Sequence, residues 1–181
     1  SIEKYVDAMK FSLEHFSENM EKMEKNQYIP VMIQSLKKKS EILDTIMELN
    51  IRQGEELENP SLDPDDFDKT VEEKSMQIEQ LELLDDGFQE LFDRVKDDLK
   101  NHPDIYHDEI VQMQDYIRKL TSKSATIQVQ EARNKELMTK KFASVHKQVR
   151  EVRKSQKVVN QYYKNMMKTN VGEPVFTDKK K

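Results

Sequence analysis

The chain has no cysteine and no tryptophan, only three glycines and five prolines in 181 residues, and no apolar run near the roughly 20 residues that a spanning helix needs. Each shortage excludes something. Without cysteine there is no disulfide framework, no thiolate metal site and no thiol nucleophile, and a reducing compartment is expected. Gly54, Gly87 and Gly172 stand singly, so no glycine-rich loop is available to cradle a phosphate. Alternating apolar runs and hairpin dipeptides are missing as well, which leaves no strand signal. Ser1-Ile2-Glu3-Lys4 lacks the basic start and apolar core of a secretory signal. The expectation is a cytoplasmic protein with no membrane insertion.

What the chain has in quantity is charge. Charged residues make up 36% and hydrophobic ones 35%, the balance of long helices around a thin core. The net charge of -5 hides a division: from Arg118 onward there are 17 basic and 5 acidic residues, before it 13 and 30. An acidic front half packing beside a basic back half of the same molecule accounts for this.

Apolar positions recur in alternating steps of four and three, the period of a helix packed along one seam. Ile2, Val6, Met9, Leu13, Phe16, Met20 and Met23 mark a first helix over about 2–26. Pro30 then interrupts it, as a kink or a turn. Met32, Leu36, Ser40, Leu43, Met47, Asn50, Gly54 and Leu57 mark a second, about 31–57. After the loop Glu58 to Pro64, in which Asp63-Pro64 supplies a cap and a proline at the first helical position, a third helix is expected over 64–101. Its seam is Phe67, Val71, Lys74, Ile78, Leu81, Asp85, Phe88, Phe92, Val95 and Leu99.

Between Pro103 and Gly172 there is neither proline nor glycine, and a single fourth helix over 104–168 is expected. It reads as an apolar base from Tyr106 to Leu120, a polar waist of Ser124, Ile127, Glu131 and Asn134 where the bundle thins, and an apolar distal seam. Two successive four-residue steps between Asn134 and Phe142 form a stutter. At 1.5 Å per residue this helix would be about 95 Å long against about 57 Å for the third, so its distal end would overhang. That end carries Met138, Phe142, Val145, Val149, Val152, Val159, Tyr163 and Met166, the candidate protein-binding residues, with Met167 also held in reserve for a partner. Residues 170–181 lose the period and read as a non-helical tail. The fold class is all-α: one elongated antiparallel bundle or coiled coil of three to four long helices, spanning 1–169.

Catalysis and metal binding have little to stand on. The four histidines are His15, His102, His107 and His146; His102 and His107 are the nearest pair, and a five-residue step on a helix does not converge two ligands. There are no paired Glu-x-x-His motifs for a di-iron bundle. No cofactor, no metal and no enzymatic activity are expected. The basic face of Lys140, Lys141, Lys147, Arg150, Arg153, Lys154 and Lys157 has no aromatic residues interleaved with it and belongs to no reading module. It is read as a solvated face beside the seam, without nucleic acid.

Lys39-Ser40-Glu41-Ile42-Leu43, Gln53 and Leu57, then Phe67, Val71, Lys74, Ile78, Leu81 and Leu84-Asp85, with Ile127-Gln128, Glu131, Asn134 and Leu137 later, form a pattern of helix lengths and heptad fillers over roughly Val31 to Tyr163. It resembles the FlgN-type flagellar export chaperones. The resemblance implies a cytosolic chaperone for hook-associated proteins of the hook–filament junction, delivering them to the type III export apparatus and holding them on its C-terminal amphipathic helix. The alternative is a non-enzymatic coiled-coil adaptor that self-associates as a homodimer through the same seam.

Overall fold

In the computed structural model, which describes residues 2–22, 25–143, 154 and 156–167, every regular element is a helix. In chain order they are α1 (Ile2–Lys22), α2 (Lys25–Glu58), α3 (Pro64–Asn101) and α4 (His107–Lys141), followed by α5 at 156–167. The fold is the all-α bundle the periodicity demands.

The ends of α3 follow from local chemistry. The Asp63 side chain accepts from the Asp65 amide at 2.9 Å, and Pro64 fills the first helical position, where its missing N–H costs nothing. Asp65 and Asp66 face the positive end of the helix dipole and Lys100 the negative end. The loop before it is tightened by Asn59, whose side chain accepts from the Ser61 amide at 2.9 Å.

Two helix boundaries differ from expectation. First, α2 starts at Lys25, not near residue 31, and runs through Pro30. Pro30 forgoes the i→i−4 bond its own amide would have donated, and Tyr28, Ile29 and Met32 on either side of it are buried in the core.

Second, the single helix over 104–168 does not exist. Residues Pro103 to Tyr106 form turns and α4 begins at His107. It stops after Lys141, where the Phe142 amide closes the last turn on the Met138 carbonyl at 2.9 Å. Phe142 then packs against Phe67 with ring centroids 5.8 Å apart, and the Lys141 ammonium donates to the Asn59 carbonyl. Residues 156–167 therefore do not overhang but lie along the bundle as α5.

The central helix α2 packs along both α3 and α4. The core runs through Met32, Leu36, Leu43 and Ile46 of α2, Ile78, Leu81, Leu91 and Val95 of α3, and Met113, Leu120 and Ile127 of α4. Val159, Tyr163 and Met166 of α5 belong to the same cluster. A smaller cluster of Leu57, Phe67 and Met138 closes the far end, under Leu62, Val71, Leu137 and Phe142. Each buried aliphatic side chain contributes about 1.5–3 kcal/mol from area removed from water. Helix α1 is held more lightly, with Val6, Phe11 and Leu13 exposed and the Phe11 ring stacked 5.0 Å from His15.

Candidate functional site

Two features stand out where α5 meets the bundle: a buried polar layer between the two apolar clusters, and the groove that α5 fills. The layer is built from seam positions that carry polar residues on three helices at the same level: Asn50 and Gln53 of α2, Lys74 of α3, Glu131 and Asn134 of α4. The Lys74 ammonium contacts Glu131 Oε1 at 2.8 Å and donates to Glu131 Oε2, Asn50 Oδ1 and Gln53 Oε1 at 3.0, 3.0 and 2.9 Å. These three residues satisfy its donors. Asn134 Nδ2 donates to the Asn50 carbonyl at 2.8 Å and to Gln53 Oε1 at 3.2 Å. Gly54 eases this close approach to the α2 backbone: a β-carbon there would lie a tight 3.1 Å from Asn134 Oδ1. Burial lowers the Lys74 pKa and raises that of Glu131, while the attraction between the two opposes both shifts. The expectation that the waist marks a thinning bundle is corrected: it is core, sealed by α5.

Helix α5 lies against α3 and α4. Gln156 Nε2 donates to the Glu131 carbonyl at 3.4 Å, and the Tyr162 hydroxyl donates to Asp85 Oδ2 at 2.9 Å. Met166 sulfur sits 3.9 Å from the Ser124 hydroxyl. Asp85 also receives the Lys39 ammonium. Burial, then the Asp85 carboxylate, pushes the Tyr162 phenol far above its usual range. Burial beside Glu131 does the same to Tyr163, which is 0% exposed. Beside α5 an apolar-walled cavity of about 710 Å³ opens among Leu36, Phe88, Phe92, Ile117 and Met166.

The eight candidate protein-binding residues fall into three groups. Met138 and Phe142 belong to the end cluster with Leu57 and Phe67. Val145, Val149 and Val152 lie outside the described residues, as do Lys147, Arg150 and Arg153 of the basic face and the 170–181 tail. Val159, Tyr163 and Met166 are buried against α3 and α4 and so are not an exposed seam. Met167 is half-buried. Val159, Tyr163 and Met166 are covered by the molecule itself, because α5 turns that face toward α3 and α4.

The charge division is partly met by ion pairs between helices at the bundle surface: Lys123 meets Asp44 of α2 at 2.7 Å and Arg133 meets Glu58 at 3.0 Å. Among the described residues there is no cluster of three potential metal ligands and no helix long and apolar enough to cross a membrane.

Sequence reasoning missed Gln156, Tyr162 and Asp85 as a docking set. Their signal was present in one respect: Asp85 and Lys74 are polar residues at seam positions of an otherwise apolar helix. No protein-family model matches the chain, and neither a curated protein nor a solved structure matches it.

Proposed function

We propose that this chain is a non-enzymatic, cytoplasmic chaperone of the flagellar export kind, binding hook-associated proteins for delivery to the type III export apparatus, and that α5 is the segment that changes partners. The reading is supported by one observation above the others. The described residues of α5, 156–167, are seated against α3 and α4 by Val159, Tyr163 and Met166 and by the polar contacts of Gln156 and Tyr162. A helix draws most of its stability from the packing of its amphipathic face rather than from intrinsic propensity. Its order depends on what it docks against, and a client helix offering an equivalent face replaces the bundle as its partner at little net cost. The resemblance to FlgN-type chaperones, in which the C-terminal amphipathic helix carries the client, points the same way.

Hydrogen exchange on the 181-residue chain, with and without a purified hook-associated protein, tests this. Binding is expected to alter exchange within 156–167 and at the facing residues around Asp85 and Ser124. A complex that leaves those amides unchanged, or no complex at micromolar concentration, overturns the reading.

A further inference from the structure

The two phenols of α5 stand edge to face with ring centroids 5.3 Å apart, yet only one of their hydroxyls is used. Tyr162 donates to Asp85 Oδ2 at 2.9 Å. The Tyr163 hydroxyl, on a side chain that is 0% exposed, meets no acceptor among the described residues. Glu131 beside it is engaged elsewhere: the Lys74 ammonium faces both of its carboxylate oxygens, at 2.8 and 3.0 Å, and Gln156 donates to its carbonyl. A buried donor without an acceptor has lost its hydration with no bond to replace it. The Tyr163 ring therefore holds α5 in the groove while its hydroxyl works against that position. The outer charge of the same helix is also unmet. From Lys154 to Met167 there are three lysines and no Asp or Glu. Lys154, Lys157 and Lys164 are all exposed, and none has an acidic partner among the described residues.

We infer that the unpartnered Tyr163 hydroxyl drives the exchange of α5 and selects its partner: an acidic amphipathic helix that takes the apolar face of α5 and sets a carboxylate against that hydroxyl. A hydroxyl-to-carboxylate bond is among the shorter and stronger kinds, and an acidic surface around it meets the three lysines. The inference rests on the exchange of α5 proposed above, and adds its driving force and the chemistry of the partner.

The test compares the 181-residue parent with Tyr163→Phe and, as the opposite case, Tyr162→Phe. In the free chain Tyr163→Phe is expected to slow hydrogen exchange of the 156–167 amides by about five- to thirtyfold, since the unsatisfied hydroxyl is gone, and Tyr162→Phe to speed it, since Asp85 loses a donor. Faster or unchanged exchange in Tyr163→Phe means that the hydroxyl is satisfied where it lies, through water or otherwise, and overturns the inference. With a purified hook-associated protein, the affinity of Tyr163→Phe should fall by a larger factor than its exchange slowed, because the partner's carboxylate loses a donor as well. A fall no larger than that factor overturns the carboxylate partner and leaves the exchange of α5 standing. Lys157→Gln with Lys164→Gln should bind less tightly while exchange in the free chain stays as in the parent; undiminished affinity overturns the acidic surface. No complex with the parent itself overturns the proposed function and the inference together.

Discussion

Lys74 and Glu131 are each almost completely inaccessible to water, 2% and 0% exposed, and neither is tolerable there without the other. Replacing Lys74 by methionine keeps the volume and strands the carboxylate, so Lys74→Met is expected to lose about 3–5 kcal/mol in urea unfolding. Adding Glu131→Gln should restore much of that loss, since the stranded charge is then gone. The pH dependence has a definite sign. The folded-state pKa of Glu131 lies above its ordinary 4.5, so its contribution is fully present below that value and is lost as pH climbs through the shifted one. Without Lys74 the opposing attraction disappears, and the variant should lose stability with rising pH more steeply than wild type. Gly54 is bound to the same layer. Gly→Ala inside a helix ordinarily stabilises by about 1 kcal/mol, but here the added carbon meets Asn134 Oδ1 at 3.1 Å. Gly54→Ala should therefore gain less alone than in an Asn134→Ala background, which a double-mutant cycle by denaturant unfolding would measure.

Element by element, the helices that were legible are those whose ends carry chemistry. Asp63-Pro64 and the loop before it announce α3, and its seam from Phe67 to Leu99 is buried much as the period implies. The break after Lys141 carried no such mark: no proline or glycine occurs between Pro103 and Gly172, and Lys140 and Lys141 are as acceptable within a helix as at its end. What ends α4 is tertiary, the docking of Phe142 on Phe67 and of Lys141 on Asn59. The stutter before Phe142 hinted at a change of course, but a period cannot say whether a helix unwinds or turns back. The seam residues Val159, Tyr163 and Met166 were found for their spacing, and the spacing is equally that of a helix packed inward. Their neighbour Tyr162 supplies a way to see α5 seated. Both phenols have folded-state values raised above the ordinary 10, so the stability that α5 gains from them is fully present below pH 10 and is lost as pH rises beyond it. Absorbance titration of phenolate should show a late phase in wild type that disappears in a Tyr162→Phe, Tyr163→Phe variant. A wild type with no late phase, all its phenols ionising together near the ordinary value, would mean that α5 is not buried in solution.

For the whole molecule, the consequence of the returning helix is that the apolar surface of α3 and α4 is closed from within. A chain whose last seam overhung the bundle would expose a long apolar line and self-associate through it. Here Val159, Tyr163 and Met166 already occupy the core with Leu81, Leu120 and Ile127, and such a molecule has no reason to form a tight dimer through those residues. Light scattering across a concentration series should give the monomer mass, 21.5 kDa, into the tens of micromolar. Tyr163→Asp with Met166→Asp puts two carboxylates into a groove already lined by Asp85 and Glu131, so α5 should leave it while α2, α3 and α4 keep their own core. The uncovered groove would then seek another apolar face, and the variant's mass should rise with concentration while its circular dichroism remains largely helical. If wild type is instead a dimer at the lowest concentration measurable and the variant is a monomer, the segment from Val159 to Met166 joins two molecules rather than closing one, and the self-associating adaptor replaces the chaperone as the better account of this chain.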